Sequence, residues 1–121
     1  MTYHSTLSIR ATVAPDVSFT IQRVSVARRL ELLRSVRDLT SRIEFYRAGA
    51  VLGDKLDASI ASGEVESLYV TWGVSRIEGL SIDGTEASPE SLIESGPEEL
   101  VREAADLVRA QLGLSEDERK N

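Results

Sequence analysis

Apolar and polar side chains alternate along the first part of the chain, and this two-residue period predicts β-strands. The apolar positions in residues 5–13 and 17–23 are Leu7, Ile9, Ala11, Val13, Val17, Phe19 and Ile21. Pro15 and Asp16 lie between the two runs and favour a turn. The pattern predicts an N-terminal β-hairpin with one apolar face. Because an isolated hairpin is only marginally stable, we expect that face to pack on the helix that follows.

The period changes to that of an α-helix in the next segment, an arginine-rich helix at residues 26–48. Apolar residues recur there at steps of three and four, which places them on one side of a helix. They form an apolar seam of Leu32, Val36, Leu39, Ile43, Tyr46 and Ala50, widened at its start by Val26, Leu30 and Leu33. Ser25 is a suitable N-cap and Gly49 a suitable end. We expect the hairpin and the second helix to pack on this seam.

A second long helix is predicted at residues 55–72, with Asp54 as its N-cap. Its apolar positions are Leu56, Ile60, Ala61, Val65, Leu68 and Trp72. Gly63 interrupts the middle, where glycine costs about 1 kcal/mol relative to alanine, and it predicts a close helix crossing or a kink. The link between the two helices is short, so we expect them to run antiparallel.

Turn residues divide the rest of the chain into shorter elements. Apolar residues at 77–82 predict a short strand beside the hairpin, ended by a turn at Asp83 and Gly84. Ser88 followed by Pro89 predicts the start of a short helix, because proline in the first helical position loses no needed N–H. A last helix is predicted at residues 97–112, with the apolar stripe Leu100, Val101, Ala104, Leu107, Val108 and Leu112 and the C-cap Gly113.

The whole pattern predicts one α+β, helix-dominated domain at residues 1–114 and a polar tail at residues 115–121. It comprises an N-terminal β-hairpin, two long antiparallel helices, a short strand near 77–82 and C-terminal helices. A length of 121 residues suits one domain. The sequence has no cysteine, no apolar run of the ~20 residues that a membrane span needs, and no signal-peptide pattern at its start. We therefore expect a cytoplasmic protein.

Charge is spread unevenly along the chain, which has 14 basic and 20 acidic residues and a formal net charge of −6. The first long helix is nevertheless net positive, with the arginines Arg28, Arg29, Arg34, Arg37, Arg42 and Arg47. The C-terminal half is acidic, and opposite charges attract. We therefore expect the arginine face to bind acidic protein surface, either on another protein or on a second copy of this chain in a homo-oligomer. Arginines and aromatic side chains often dominate binding energy. The predicted partner-binding residues are Arg28, Arg29, Arg34, Tyr69 and Trp72.

Groups suited to catalysis or metal binding are few. His4 is the one histidine, and without a second imidazole or a thiol it does not predict a zinc site or a serine–histidine pair. The densest acidic group follows the solvent face of the last helix, a pattern more typical of surface than of a site. Its members are Glu98, Glu99, Glu103 and Asp106. The glycines form no phosphate-binding loop. The sequence therefore predicts no cofactor.

The alternative hypothesis is a small regulatory or nucleic-acid-binding module that uses the arginine-rich helix 26–48. Six arginines on one helix could contact phosphates. The whole chain is acidic, with a pI near 4.8, and lacks helix-turn-helix spacing or interleaved aromatic residues. Both features argue against nucleic acid as the partner.

Several segments resemble the small tail assembly chaperones of long-tailed bacteriophages and prophages. They are RRLELLRSVRDL, LYVTWGVSRIEGLSIDG, SPESLIESGPEEL and the ending GLSEDERKN, and the likeness covers residues 25–121. Its most telling parts are Trp72-Gly73, the segment at 77–84, the helix start at 88–90 and the polar ending at 115–121.

The resemblance to this family implies a protein of the bacterial host cell without enzymatic activity. It implies that the chain binds the tape measure protein, shields its apolar surface before the tail tube polymerises around it, and helps to recruit tail tube protein. In many relatives a ribosomal frameshift adds an extension to the short product. Lys120-Asn121 can be encoded by an A-rich slippery run, which predicts a longer fused product here.

Overall fold

The structure, a computed structural model, describes residues 1–47 and 52–113 of the chain. Its elements in chain order are β1 (Thr6–Arg10), β2 (Ser18–Gln22), α1 (Val26–Arg47), α2 (Leu52–Gly73), β3 (Val74–Glu78), β4 (Ser81–Ile82), β5 (Thr85–Glu86), α3 (Pro89–Ser95) and α4 (Glu98–Gln111). The predicted helix-dominated α+β fold is therefore confirmed. The link between the two long helices, residue Ala50 of the seam and the predicted polar tail lie outside the described residues.

A three-stranded antiparallel sheet in the order β1-β2-β3 packs one face on the helices. Ile9 of β1 lies opposite Phe19 of β2, which lies opposite Ile77 of β3. The predicted hairpin is confirmed, and its apolar face is turned to the core, but β2 packs mainly on α4 and not on α1 as predicted. The fully buried side chains that hold sheet and helices together are Phe19, Ile21, Leu32, Val70, Ile77, Leu92, Val108 and Leu112. Burying each such side chain contributes about 1.5–3 kcal/mol relative to exposure.

The strand predicted near 77–82 is divided in the structure. β3 begins directly after α2 and ends before Gly79, which has φ +82 and passes too close to the Asp16 carbonyl to carry a side chain. Beyond it, β4 and β5 form a separate small hairpin. The turn between them has φ 51 at Asp83 and φ 83 at Gly84, and these positive angles at both central residues are those of a type I′ turn.

The two long helices run antiparallel, as the sequence predicts. Arg28 in the first turn of α1 contacts Trp72 in the last turn of α2, and Arg42 near the other end lies 3.6 Å from Glu64. Ser25 caps α1 by accepting a hydrogen bond from the Arg28 backbone N–H at 3.2 Å. The predicted capping role of Asp54 is wrong, because α2 begins at Leu52 and Asp54 lies within its first turn.

The apolar seam of α1 is narrower than predicted. Leu32 and Val36 are buried, and Leu39 and Ile43 pack half-buried against the core. The widening at the start of the helix is wrong: the exposed fractions are 78% for Val26, 46% for Leu30 and 38% for Leu33. On a helix of 3.6 residues per turn these three positions lie to one side of the seam, and α2 does not cover them.

The start of the apolar stripe on α2 also differs from the prediction. Leu56 and Ile60 are 57% and 60% exposed, whereas Ala61 and Val65 are buried. The close helix crossing predicted at Gly63 is wrong, since a Cβ added there would have no atom within 4 Å. α2 continues as one helix through this glycine.

The C-terminal helices begin as predicted. Ser88 caps α3 by accepting a hydrogen bond from the Ser91 N–H at 3.1 Å, and the Ser91 hydroxyl oxygen accepts one from the Ser88 N–H at 2.8 Å. α4 follows after Pro97 and buries Leu100, Ala104, Ala105 and Val108. The C-cap is Leu112, one residue before the predicted Gly113, which follows it with φ 73, the left-handed conformation typical of the residue after a helix C-cap.

Candidate functional site

Arg28 of α1 lies at the C-terminal end of α2 and contacts Trp72 in two ways. Its Nη2 donates a hydrogen bond to the Trp72 carbonyl oxygen at 3.1 Å, and its guanidinium carbon lies 4.3 Å from the centroid of the ring. The ring face attracts a positive charge, and the last carbonyls of a helix carry partial negative charge. Arg28 therefore stabilises the end of α2 and covers the half-buried Trp72.

The neighbouring Arg29 makes the corresponding contact with α4. Its Nη1 donates a hydrogen bond to the carbonyl oxygen of Leu112, the C-cap residue of α4. The first turn of α1 thus places two guanidinium groups at the C-terminal ends of two other helices. Each of them offsets the negative end of a helix dipole.

Tyr69 on α2 is buried beneath a third arginine, Arg109 of α4. The guanidinium carbon of Arg109 lies 5.0 Å from the centroid of the Tyr69 ring, and its Nη1 is 2.7 Å from Asp106 Oδ1. The Nε atoms of Arg28 and Arg109 are buried without a hydrogen-bond partner among the described residues. In both cases an aromatic ring lies against the guanidinium and provides a favourable partner for its charge.

Of the five residues predicted to bind a partner, the structure brings Arg28 and Trp72 into contact, buries Tyr69 and leaves Arg34 exposed. Arg28, Arg29 and Trp72 are half-buried in contacts within the chain, and Tyr69 is 6% exposed. Arg34 is exposed on α1. A role for all five toward a partner stays a prediction, and for Arg28 and Arg29 it would require the loss of their hydrogen bonds to helix ends.

Two other arginines of α1 have a carboxylate neighbour. Arg37 lies 3.8 Å from Asp38, and Arg42 lies 3.6 Å from Glu64 on α2. These pairs are exposed, and such pairs contribute little to stability, about 0–1 kcal/mol. They place a carboxylate beside each cation, however, and this reduces the attraction of the helix for phosphate groups.

Glu103 joins α4 to the loop between β1 and β2, although the sequence pattern places it on a solvent face. The Thr12 backbone N–H donates to its Oε2 at 2.8 Å, the Val13 N–H donates to its Oε1 at 3.3 Å, and the Thr12 hydroxyl also donates to Oε2. Partial burial alone raises the pKa of Glu103, but these hydrogen bonds favour the carboxylate and bring its pKa below the usual value. Glu103 therefore has a structural role toward this loop, which the residue pattern of α4 does not indicate.

An open cleft of about 1200 Å³ lies between α1, α2 and α4. α2 packs against both other helices and forms the floor of the cleft. Its apolar lining consists of Leu33, Val36, Ile43, Ala58, Val65 and Tyr69. The polar lining includes Glu44, Lys55, Glu66, Glu98, Arg102 and Arg109. We name this surface the α1–α2–α4 cleft.

Small side chains on α2 leave free space above the floor of the cleft. Ala58, Ser59, Ser62 and Gly63 follow one side of α2, and a Cβ added at Gly63 would meet nothing within 4 Å. On the wall formed by α1, Leu33 is 38% exposed. Small residues on one helix let another backbone approach closely. The cleft is therefore shaped to receive a helix better than a compact ligand.

The cleft is not evident from the sequence pattern, although two features of the sequence are consistent with it. Leu33 falls beside the apolar seam of α1 rather than in it, and four small residues at 58, 59, 62 and 63 follow one side of α2. Periodicity shows that α1 and α2 have apolar sides. It does not show that α4 covers only part of the groove between them.

The chain was compared with protein-family models, with curated proteins and with solved structures, and nothing matches it. Among residues 1–47 and 52–113, three or more histidine or acidic side chains do not come together in a way that could hold a metal ion. None of the helices in these ranges is both long and apolar enough to cross a membrane. A functional proposal must therefore rest on the geometry of the cleft and on the sequence resemblance.

Proposed function

We propose that the protein is a non-enzymatic phage tail assembly chaperone and that a helix of the tape measure protein binds in the α1–α2–α4 cleft. In the proposed role the chaperone shields apolar surface of the tape measure protein in the bacterial host cytoplasm and helps to recruit tail tube protein. The open cleft with its partly apolar lining is the observation that carries this proposal. The family resemblance supplies the identity of the partner.

The dimensions and lining of the cleft favour a helical segment. Pockets for small molecules usually measure about 300–1,000 Å³, and this cleft is larger and open along one side. Its α1 wall presents Leu33, Val36 and Ile43 at helical spacing. An amphipathic helix binds such a groove through apolar residues one turn apart, and its polar face stays in water.

Charged side chains around the cleft are suited to form the polar rim of a binding interface. Lys55 and Arg102 are basic, while Glu66 and Glu98 are acidic, so groups of both signs lie beside the apolar lining residues. A rim of this kind excludes water from an apolar contact and helps to orient the partner. The tape measure protein is long and helical, and it could offer many such amphipathic segments.

Binding to a tagged tape measure protein encoded in the same genome tests the proposal. Leu33→Glu places a charge on the cleft wall and should weaken binding about 10- to 100-fold, because a buried leucine contributes about 1.5–3 kcal/mol. Leu56→Glu is the matched control, since this leucine is also exposed but lies on the outer face of α2. It should change the Kd less than about twofold.

Titration by fluorescence anisotropy or calorimetry gives the two dissociation constants, and circular dichroism verifies that both variants are folded. Absence of binding by the unaltered chain would contradict the assignment of the partner. Equal affinity of the Leu33→Glu variant and the unaltered chain would contradict the cleft as the binding site.

A further inference from the structure

β1 is an edge strand whose outer side lacks a neighbouring strand in residues 1–47 and 52–113. The Ala11 N–H donates to the Val17 carbonyl oxygen at 2.8 Å, and the Arg23 N–H donates to the Ser5 carbonyl oxygen at 2.8 Å. Hydrogen-bonded pairs alternate along an antiparallel ladder, so the odd-numbered residues of β1 bond to β2. The even-numbered residues Thr6, Ser8 and Arg10 consequently direct their N–H and C=O groups outward.

The outer edge of β1 carries few of the features that prevent strand pairing. Proteins commonly block an edge with lysine, proline, a bulge or an inward-pointing charge. β1 contains neither lysine nor proline, its register with β2 is regular, and its one charged residue is Arg10 at the end of the strand. The edge is therefore open to another strand over most of its length.

The apolar face of β1 is also incompletely covered. Leu7 and Ile9 are half-buried, whereas Phe19 and Ile21, their neighbours on β2, are 0% exposed. A strand added beside β1 would cover Leu7 and Ile9 from the open side. Both the backbone and the apolar face thus favour an additional strand.

We propose that β1 pairs antiparallel with β1 of a second copy of this chain, about a twofold axis at Ser8. Thr6 of each copy then lies opposite Arg10 of the other, and each Ser8 lies opposite its own equivalent. These three opposed pairs each exchange two backbone hydrogen bonds, because all three positions direct their polar backbone groups outward. The two sheets become one continuous six-stranded sheet.

The side chains of β1 are compatible with this pairing on both faces. On the apolar face Leu7 of one copy meets Ile9 of the other, a contact between aliphatic side chains that both gain burial. On the polar face each Arg10 meets a threonine, so no like charges are directly opposed. A twofold contact requires this self-complementarity, which an unrelated extended peptide would match only by chance.

The contact is small, because each strand has five residues. Stable interfaces usually bury about 1,200–2,000 Å² in total, and a pair of short strands alone falls at the weak end of that scale. We therefore expect a dimer that forms in a concentration-dependent way. The α1–α2–α4 cleft does not contribute to this contact, so the inference is independent of the proposed function.

Sedimentation equilibrium of the full chain at increasing concentration tests the pairing. The average mass should rise from the monomer value of 13.3 kDa toward twice that value. Ser8→Pro removes the central outward N–H while leaving the ladder to β2 intact, and it should remain monomeric. Ser8→Thr keeps the N–H and should dimerise like the unaltered chain. Circular dichroism shows whether each variant is folded.

Amide hydrogen exchange distinguishes edge pairing from association through another surface, including binding of a second copy in the cleft. In the pairing proposed here, the amides of Thr6, Ser8 and Arg10 become protected only at concentrations where the dimer forms. The amides of Leu7 and Ile9 are protected at all concentrations because they bond to β2. A chain that stays monomeric, or a dimer in which the Ser8 amide exchanges as fast as in the monomer, would overturn the proposal.

Discussion

The two halves of the α1–α2 pair are both rich in apolar residues but differ in how these are covered. We define the near half as residues 26–36 and 65–73, and the far half as residues 37–47 and 52–64. In the near half, Leu32 and Val70 are fully buried. In the far half, Leu56 and Ile60 are more than half exposed. Among the described side chains, fully buried large ones therefore occur in the near half and not in the far half, although Val26, Leu30 and Leu33 on one side of α1 are exposed.

The difference follows from the number of layers that cover each half. The near half packs on the sheet and on α4, and its buried side chains belong to the main core. In the far half, Ala58 and Ala61 are buried but lie outside that core. Two helices alone cover small side chains along their contact, whereas larger ones such as Leu39 and Ile43 are only half-buried. The far half therefore has fewer layers around it than the near half.

Substitution of one leucine in each half tests this comparison with the largest expected effect. Leu32→Ala removes a fully buried side chain and should lower the free energy of unfolding by about 2–5 kcal/mol. Leu56→Ala removes an exposed one and should change it by less than about 0.5 kcal/mol. Urea denaturation measures both values. Similar losses for the two variants would show that the far half is as well covered as the near half.

Alanine in place of one glycine in each half should give effects of opposite sign. A Cβ at Gly73 would lie 2.6 Å from both methyl groups of Val108, and overpacking of this kind costs about 1–3 kcal/mol. A Cβ at Gly63 would meet nothing within 4 Å, so Gly63→Ala should stabilise the helix by about 0.5–1 kcal/mol.

Thermal unfolding of the two glycine variants measures this difference in sign. A loss of stability in Gly63→Ala would indicate that the far half is more tightly packed than the structure shows. The same variant also tests the cleft, because Gly63 lines its floor. Its binding to the tape measure protein can be compared with its gain in stability.

The sequence predicts the buried seam of the near half well because local periodicity reports which side of an element is apolar. The burial of Leu32 and Val36 on α1, and of Phe19 on β2, follows from spacing alone. The exposure of Leu30 and Leu33 could not be predicted in this way. It depends on how far α2 and α4 extend around α1, and this is a property of tertiary packing.

The contacts of the charged residues could not be predicted from the sequence for a similar reason. Arg28 bonds to a carbonyl 44 residues away, and Arg29 bonds to one 83 residues away. The sequence shows that both are cations on a helix, but their partners are the ends of other helices. The cleft likewise exists only because three separate helices meet around it.

Substitution of Glu103 is expected to have the smallest effect on stability, and it extends the comparison to the contacts of charged side chains. This carboxylate receives hydrogen bonds from Thr12 and Val13, and its pKa is lowered. A group with a lowered folded-state pKa contributes stability above its unfolded-state pKa and loses that contribution as the pH falls through the folded-state value. Glu103 should therefore stabilise the protein at neutral pH and progressively less below the ordinary carboxyl pKa of 4.5.

Thermal unfolding of Glu103→Gln between neutral and acidic pH measures this contribution. The variant should be less stable than the unaltered chain at pH 7, and the difference should shrink as the pH falls below 4.5. Glu64→Gln is the matched control in the far half, where the carboxylate pairs with Arg42 at 3.6 Å and both groups are about half exposed. Solvent screens such a pair, so its removal should have little effect at either pH. A difference for Glu103→Gln that does not change with pH would show that its hydrogen bonds to the loop do not depend on the charge of the carboxylate.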